Sequence, residues 1–199
     1  MIFSRLITFS VLAMLLGGLA LEAAAEEKAK PKDHLLTIAG GKLSITASGQ
    51  WTVKKPAVRI IEHEFAVSAA KGDAAGGRML MMSAGGSIEA NLARWFSQFS
   101  QPDGKRTKDR AKVTKLEIAG YEVRIVDVSG TYNDRRGPFA PAVKRADYRM
   151  LAAIVTVGKK PGARANHYFI KFYGPKKTIA ANEKAFTEMI KSLKASPKG

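Results

Sequence analysis

The sequence of 199 residues contains no cysteine. Without a thiol the chain can form no disulfide, no thiolate metal site, no catalytic thiolate and no lipid-attached N-terminal cysteine. Histidine is also scarce, with three residues, and none of them lies in a sequence setting typical of a hydrolase triad. A G-x-S-x-G nucleophile motif is missing as well. These absences count against the common classes of nucleophilic enzyme.

Acidic residues are few, and this deficit gives the chain its strong positive charge. There are 17 Asp and Glu residues against 33 Lys and Arg residues, so the formal net charge is +16 at pH 7. The acids are scattered singly through the central part of the chain, which disfavours the paired carboxylates of a glycoside hydrolase. A charge of this size predicts attraction to anionic partners.

The first 25 residues have the pattern of a secretory signal peptide. A positive charge at Arg5 precedes an apolar stretch from Leu6 to Leu21, and small residues follow at Ala23 and Ala25. The apolar stretch is 16 residues long, whereas a membrane-spanning helix needs about 20, so an uncleaved anchor is the second alternative. We predict export to the periplasm or the medium, with no transmembrane span after cleavage.

The rest of the chain is long enough for one compact domain. We predict a flexible charged spacer over residues 26–34, a single domain over residues 35–194 and a basic tail over residues 195–199. Eight short segments rich in β-branched and aromatic residues predict strands. They are Leu35–Ala39, Lys42–Ala47, Ile60–Val67, Met79–Ala84, Val113–Ile118, Tyr121–Tyr132, Tyr148–Val157 and Asn166–Tyr173.

Turn-like pairs separate some of these segments, and they favour hairpins over crossover connections. Gly40 and Gly41 stand between the first two segments, and Gly120 lies in a similar turn before Tyr121. Two other segments have helical spacing, one after the N-cap Ser87 and one near the end of the chain with Thr178 as its predicted cap. The predicted fold class is therefore α+β, with a mostly antiparallel sheet of about six to eight strands and two packed helices.

Four short runs carry a resemblance to a known family. They are Gly49-Gln50-Trp51, Ala84-Gly85-Gly86-Ser87, Asn91-Leu92-Ala93-Arg94-Trp95-Phe96 and Tyr173-Gly174-Pro175. With the order of predicted elements, they resemble small secreted proteins of planctomycete-type bacteria whose layout looks like the PsbP-like fold. Extrinsic photosystem proteins and a Ran-binding nuclear import factor share that fold. The resemblance implies a fold and transfers no functional residue.

Two motifs could in principle hold a metal or a phosphate. The run Glu62-His63-Glu64 contains metal-ligating residue types, but in a strand the two acids would point away from the histidine, so we predict a buried, hydrogen-bonded His63. The turn Gly85-Gly86-Ser87 opens a helix, where free N–H groups favour anions, but it lacks the spacing of a P-loop or dinucleotide fingerprint. We predict no metal and no cofactor.

The segment from Asn133 to Asp147 shows neither strand nor helix pattern and is predicted to be a loop. Loops of this length in compact domains tend to be functional or disordered. Phe139 stands between Pro138 and Pro141, so it could be a stiffly held anchor for a partner. The alternative, which we favour, is that Phe139 folds back onto the domain.

The charge distribution predicts a basic surface at one end of the sheet. Following the strands as antiparallel neighbours brings together the segments before Val113, after Tyr132 and after Tyr173. A helix that begins at Thr178 would point its positive dipole end the same way. We predict an anion-binding face here, with a merely solvated set of loops as the alternative. The residues assigned to it are Lys105, Arg106, Arg135, Arg136, Lys144, Arg145, Lys176 and Lys177.

Together these observations predict a secreted or periplasmic, non-catalytic module that binds or scaffolds an anionic partner. An envelope polymer, membrane headgroups or an acidic protein would fit. Nucleic acid ranks last, because export separates the protein from it and no recognition motif is present. The alternative is an envelope hydrolase or isomerase with a pocket near His167, Tyr168 or the Gly85-Gly86 turn.

Overall fold

The computed structural model describes residues 31–135, 141–158 and 166–196. The predicted signal peptide, Arg136, Phe139 and most of the predicted tail lie outside the described residues, so the predictions about them stay predictions. The helices are α1 (Ile88–Phe96), α2 (Lys176–Ala181) and α3 (Glu183–Lys191), and a short 3-10 helix covers Thr107–Asp109. The strands are β1 (His34–Ile38), β2 (Leu43–Ala47), β3 (Thr52–Lys54), β4 (His63–Val67), β5 (Gly77–Ala84), β6 (Phe99–Ser100), β7 (Lys112–Ile118), β8 (Tyr121–Asp134), β9 (Val143–Thr156), β10 (His167–Pro175) and β11 (Lys194–Ala195).

The strands form two antiparallel sheets in the described part of the chain. The large sheet has eight strands in the order β3-β4-β5-β10-β9-β8-β6, and β7 also pairs with β8. The small sheet has the order β1-β2-β11. The predicted α+β class with a mostly antiparallel sheet is confirmed.

Tight turns connect the strands where the sequence predicts them. Ala119 and Gly120 join β7 to β8 with φ angles of 52° and 79°. Two successive positive φ angles match the turn type whose twist suits a two-residue hairpin. Gly40 and Gly41 lie in the corresponding turn between β1 and β2. Local turn chemistry thus sets the antiparallel pairing of neighbouring strands.

The large sheet carries a separate core on each of its two faces. On one face, which we call the α2–α3 face, residues such as Phe65 and Phe172 pack against α2, α3 and the small sheet. On the other, which we call the α1 face, residues such as Ile154 and Phe169 pack against α1. Strand β9 is buried on both faces from Met150 to Thr156, as its two-sided apolar pattern predicts for a central strand.

Helix α1 begins as its sequence predicts. The Ser87 hydroxyl accepts a hydrogen bond of 3.1 Å from the Ala90 backbone N–H, the bond of a helix N-cap. Ile88, Trp95 and Phe96 are buried against the sheet. The apolar stripe read from the sequence is therefore the packing face of the helix.

The second predicted helix is divided into α2 and α3 at Asn182. The Asn182 side-chain amide donates to the Thr178 carbonyl oxygen at 2.9 Å, while its oxygen accepts from the Trp51 indole N–H at 2.9 Å. The Thr178 carbonyl oxygen thus accepts a hydrogen bond from the side chain of Asn182. The backbone at Asn182 departs from helical angles, with φ −107° and ψ 4°. The predicted cap was wrong: α2 begins at Lys176, and Thr178 is buried within it.

Of the ten described residues in the loop predicted over Asn133–Asp147, seven are strand. Strand β8 continues to Asp134 and β9 begins at Val143, so Lys144 and Arg145 lie on a strand. The pairing of β8 with β9 shifts register between Gly130 and Tyr132, and the facing strand contains Asp147 with φ 53°. Such a bulge breaks the period-two pattern on which strand prediction depends.

Residues at and just outside the predicted domain boundaries also contact the fold. The Asp33 carboxylate accepts the Gly49 backbone N–H at 2.8 Å, and the Lys32 backbone leaves no room for a Cβ at Gly49. Lys194 and Ala195 pair with β2 and complete the small sheet. Among the residues that the structure describes, no helix is long and apolar enough to cross a membrane.

Candidate functional site

The sheet topology brings the predicted cationic segments to one end of the molecule. Because neighbouring strands are antiparallel, β9 begins at the end of the sheet where β8 and β10 end. Strand β7 begins on the same side, opposite Asp127, seven residues before β8 ends at Asp134. The β8–β9 hairpin reaches further than β10, since Pro175 pairs with Tyr148, five residues after the start of β9 at Val143. We call the described residues of segments 101–112, 131–135, 141–147 and 174–178 the basic end.

Some of the predicted residues of the basic end are neutralised by neighbouring acids. Arg106 pairs with Asp109 at 3.0 Å. Arg145 pairs with Asp134 at 3.4 Å. Seven other cations of these segments are exposed and make no ion pair within residues 31–135, 141–158 and 166–196. They are Lys105, Lys108, Lys112, Arg135, Lys144, Lys176 and Lys177.

The N-terminus of α2 already holds a carboxylate from the chain itself. Asp73, in the connection between β4 and β5, accepts hydrogen bonds of 2.7 Å from both the backbone N–H and the hydroxyl of Thr178. The Thr178 hydroxyl in turn accepts the Ala70 N–H at 3.0 Å. The helix dipole that was expected to attract an external anion is therefore satisfied by Asp73. Only the side chains of Lys176 and Lys177 add to the basic end here.

A polar cluster that the sequence analysis missed lies beside the basic end on the α1 face. Lys171 of β10 is only 9% exposed, and its ammonium donates to the side-chain oxygen of Gln98. Its Nζ lies 4.8 Å from the ring centre of Tyr173 and 5.4 Å from that of Tyr132, within the range of cation–π contacts. Tyr132 also stacks on Tyr148, with ring centres 5.9 Å apart. We call these five residues the lysine–tyrosine cluster.

Burial changes the ionisation of this cluster. It lowers the pKa of Lys171 to about 7, because the ammonium loses its hydration in the interior. The positive charges of Arg94 and Arg78 lower that pKa further, whereas Asp134 raises it. Burial also raises the pKa of Tyr132 above its usual value. The cluster thus contains a buried lysine that changes its charge near neutral pH.

Arg78 closes the cluster on the side of β4 and β5. Its guanidinium donates to the Glu64 carboxylate at 2.8 Å and to the Tyr173 hydroxyl at 3.3 Å. The hydrogen bond to Glu64 is the main cause that raises the pKa of Arg78. On the other side, Tyr132 stands in register with Arg145 of the basic end. The two regions therefore share one stretch of the β8–β9 hairpin.

The sequence does contain a signal for this cluster. Lys171 interrupts the apolar strand β10 and lies on the same face as Phe169 and Tyr173, because side chains two apart share a face. A lysine in such a position is rarely buried without a partner. The meeting of Tyr132 with Tyr148 depends on the bulged register of β8 and β9, and nothing in the local sequence reveals it.

The Glu62-His63-Glu64 run forms no metal site. Glu62 accepts the Ala39 N–H at 3.2 Å, whereas Glu64 belongs to the ion pair described above. His63 Nε2 donates to the Thr37 carbonyl oxygen at 3.0 Å. The hydrogen bond was predicted, but the ring is half-buried and not buried. Within the described part of the chain, no three His, Asp or Glu side chains are grouped closely enough to hold a metal ion.

A cleft of about 310 Å³ lies at the opposite end of the sheet, where the enzymatic alternative placed its pocket. Its polar lining comes from Lys42, Ser83, Asn166 and His167. The His167 ring is buried, with Nδ1 3.5 Å from the Thr156 hydroxyl. The described residues of the lining include no carboxylate, whereas a glycosidase uses a pair of acids and a hydrolytic triad uses one.

Two further clefts flank the segment 101–112 at the basic end. One of about 450 Å³ contains Asp103 and Arg110, which form an ion pair of 2.5 Å. The other, of about 380 Å³, is lined by Phe96, Lys105 and Arg106 among others. Cations at the rim of a partly apolar cleft suit the binding of an anionic group. The two acids that line the first cleft, Asp103 and Asp127, are each held in an ion pair with an arginine.

Comparisons with known proteins find likeness in structure only. No known family matches the chain, and no curated protein matches it in sequence. LpqN of Mycobacterium tuberculosis, described as involved in cell envelope biogenesis, has a TM-score of 0.52 and 6% identity over 83% of this chain and 91% of LpqN. The cyanobacterial PsbP protein of Synechocystis sp. PCC 6803 has a TM-score of 0.48 and 8% identity over 88% and 98%. The Ran-binding protein Mog1p of Saccharomyces cerevisiae has a TM-score of 0.45 and 8% identity over 82% and 95%.

The likeness to LpqN extends over most of both chains and shows a shared fold. At this level of identity it shows the fold alone. The similar structures include a PsbP protein, the fold family named by the sequence resemblance. The comparisons give no sequence-level support for a link to planctomycete-type proteins.

Proposed function

We propose that the protein is an exported, non-catalytic module that binds an anionic partner of the cell envelope at its basic end. The observation that carries the proposal is the set of seven exposed cations there, none of which makes an ion pair within the described residues. Unpaired cations at one end of a molecule create a positive potential that concentrates anions. An acidic envelope polymer fits best, since its repeated charges can follow cations spread over several segments; membrane headgroups or an acidic protein are the other partners.

Two observations support a place in the envelope. Residues 1–25 have the signal peptide pattern described above. The chain also shares its fold with LpqN, a protein involved in cell envelope biogenesis. The resemblance of the sequence to secreted proteins of planctomycete-type bacteria belongs to the same proposal.

The absence of catalysis is proposed from where the titratable groups lie. Lys171, whose pKa is near neutral, is covered by Gln98 and two tyrosine rings and does not line the clefts described above. A general acid or base must reach a substrate in a cleft. Among the other strongly paired groups, Arg149 joins Asp127 to Glu183, at 2.7 Å from each, and connects β9, β8 and α3. This ion-pair network has a structural role.

Charge reversal at the basic end tests the proposal. We expect Lys105→Glu, Arg135→Glu and Lys144→Glu together to lower markedly the salt concentration at which the protein elutes from immobilised polyglutamate. The matched control changes the same amount of charge outside the basic end, with Lys42→Glu, Lys191→Glu and Lys194→Glu. All six side chains are exposed, so neither variant disturbs the core.

Equal losses from the two variants would contradict the proposal, because net charge alone would then explain binding. Elution must also depend on salt, since exposed charges are screened over about 10 Å at 0.1 M ionic strength. Capture that is insensitive to salt would point to an apolar surface instead.

The enzymatic alternative rests on the cleft beside His167. A hydrolase or isomerase that used this cleft would lose activity in His167→Gln while keeping its fold by circular dichroism. A screen of envelope extracts for turnover by the intact protein, with Ser83→Ala as a second variant, would reveal such an activity. We favour the binding module because the described residues that line this cleft include no carboxylate.

A further inference from the structure

A second cationic surface lies at the edge of the large sheet and differs from the basic end because it also carries apolar side chains. It consists of residues 52–60, which comprise β3 and most of the connection to β4; we call it the edge loop. Every residue of the edge loop is exposed except Pro56, which is half-buried. Seven large apolar side chains are exposed in the described part of the chain, and three of them, Val53, Val58 and Ile60, are in this loop at 57%, 52% and 61% exposure.

The edge loop is held firmly at both ends. Trp51 precedes it and is buried in the α2–α3 core, and Ile61 follows it and is also buried. The Ile61 N–H donates to the Val58 carbonyl oxygen at 3.2 Å, which closes a turn with Arg59 and Ile60 at its corners. Exposure of the apolar side chains is therefore a consequence of a fixed turn and its anchors.

The charge of the edge loop has one sign. Lys54, Lys55 and Arg59 are exposed, and they make no ion pair within the described residues. The loop contains no acid. The nearest one in sequence, Glu62, accepts the Ala39 backbone N–H. Lys54 stands in register with Glu64 of β4, but the Glu64 carboxylate pairs with Arg78. The three cations thus stand among three exposed apolar side chains and make no ion pair within the described residues.

Residues 55–60 of the edge loop and the basic end lie at opposite ends of the large sheet, while β3 runs beside β4 between the two ends. The end of β4 at Val67 pairs with the start of β5 at Gly77, and β5 pairs with the end of β10 through Arg78 and Tyr173, beside the basic end. Since β4 starts at the other end, the connection that precedes it lies far from the basic end.

We propose that the edge loop is a membrane-contact site, which inserts Val58 and Ile60 between the headgroups of an anionic bilayer while Lys54, Lys55 and Arg59 bind lipid phosphates. Apolar side chains enter the boundary of the acyl chains, and neighbouring cations are attracted to the negative surface. The long stems of lysine and arginine let their charges reach the headgroups.

The shape of the edge loop favours a lipid surface over a folded protein. Its apolar side chains stand on an exposed turn, and none of its residues lines the clefts described above. A projecting turn has no pocket to receive a partner's side chain, but it can enter a soft surface. A molecule bound in this way would turn its basic end away from the bilayer and leave it free for the envelope partner.

The absence of cysteine allows a direct test on the full chain. A polarity-sensitive fluorophore on Ile60→Cys should shift its emission to the blue when vesicles of phosphatidylglycerol are added, and not with vesicles of phosphatidylcholine. The same label on Leu116→Cys, at 41% exposure on β7 and outside the basic end, should not shift with either. Because both variants retain the apolar segment 6–21, any membrane affinity of that segment is common to the two measurements.

Charge variants complete the test. Lys54→Glu, Lys55→Glu and Arg59→Glu together should raise at least tenfold the phosphatidylglycerol concentration that is needed for a half-maximal blue shift at residue 60. Lys42→Glu, Lys191→Glu and Lys194→Glu together change the net charge equally. They should change the required phosphatidylglycerol concentration by less than about twofold. If the triple edge-loop variant unfolds, Val58→Ser in the labelled chain serves instead and should also weaken the shift.

The proposal is overturned if phosphatidylglycerol leaves the label at residue 60 unchanged, or if the label at residue 116 shifts equally. It is also overturned if the two triple variants weaken the shift equally. An acidic protein partner at this loop would appear as the first of these outcomes. A negative result for the edge loop would not change the result expected from the polyglutamate experiment, which tests the basic end.

Discussion

The two faces of the large sheet are closed in different ways. On the α2–α3 face, two helices and the small sheet cover the strands, and all three layers contribute apolar side chains to one core. On the α1 face a single helix covers part of the strands, and the lysine–tyrosine cluster covers much of what remains. The comparison shows that polar side chains are buried on the α1 face, at the place where the helix no longer covers the strands.

The lengths of the elements explain why the cover ends there. Helix α1 has nine residues, which is about 14 Å at the usual rise per residue. Strands β8 and β9 have 14 residues each, or about 46 Å. A helix of nine residues cannot cover the full length of such strands, and beyond it the rings of Tyr132, Tyr148 and Tyr173 pack against one another on this face. Tyrosine can do this because its ring is apolar and its hydroxyl can reach a polar partner.

The largest effect is expected on the fully apolar face. Phe186 of α3 is buried and stacks on Phe172 with ring centres 6.0 Å apart. We expect Phe186→Ala to lower the free energy of unfolding by about 3 to 5 kcal/mol, the cost of a large cavity in a packed core. Urea denaturation followed by circular dichroism measures it. A loss below about 1 kcal/mol would show that the α2–α3 face is not packed more closely than the α1 face.

The corresponding change on the α1 face should cost less. Phe96 lies at the last turn of α1 and keeps 9% of its surface exposed. We expect Phe96→Ala to lower the free energy of unfolding by about 2 to 4 kcal/mol, because water reaches part of the cavity. The same denaturation experiment applies. A cost above that of Phe186→Ala would reverse the comparison between the faces.

Lys171 should make stability depend on pH in a direction unusual for a lysine. Its pKa is lowered from 10.5 to about 7 by burial, so between pH 7 and 10 the unfolded chain binds a proton that the native protein does not. Stability must therefore rise with pH over this window, by up to about 1.4 kcal/mol per pH unit. Below pH 7 both states are charged and this contribution levels off.

Lys171→Met is the matched variant, since it keeps the length of the side chain and removes the charge. We expect it to be more stable than the parent chain at pH 7 and to lose the rise between pH 7 and 9.5. Urea denaturation at several pH values measures both effects. Tyr132, whose pKa is raised in the native protein, titrates in the unfolded chain around its usual value of 10, so the upper limit of pH 9.5 keeps its contribution small. A rise that persists in the variant would assign the pH dependence to another group.

The smallest effect should come from Leu92, which the sequence places on the same helical stripe as Phe96. The structure leaves Leu92 half-exposed. We expect Leu92→Ala to cost less than about 1 kcal/mol, which is typical of side chains that lie partly at the surface. A larger value by denaturation would mean that α1 packs more deeply on the sheet than the structure shows.

The sequence predicted the fold class because its local signals agree with one another. Alternating residues identify the long strands, and the pair before Tyr121 marks a tight turn with the required positive φ at Ala119 and Gly120. The short strands β3, β6 and β11 were missed, since two or three residues carry no readable period. The division of α2 from α3 depends on contacts of Asn182 with Trp51, 131 residues away.

The candidate site was only partly predictable. Strand direction alone places Lys105, Lys144 and Lys176 at the same end, and this follows from antiparallel pairing. The ion pair of Arg145 with Asp134 requires the bulged register of β8 and β9, which sequence spacing does not reveal. Which cations stay unpaired is therefore a property of the three-dimensional arrangement.

The pairing of β2 with β11 constrains the order in which the protein can fold. Lys194 pairs with Ser44, 150 positions earlier, and the apolar side chains of Leu43 and Ile45 are covered by residues of α3 and beyond. A chain leaves a ribosome or a translocation pore with its N-terminus first. The β1–β2 hairpin is therefore exposed long before α3 and β11, which cover it, have emerged. Such distant pairings slow folding, since the loop must close before its contacts are made. The hairpin is then the surface that a holding chaperone would have to protect longest.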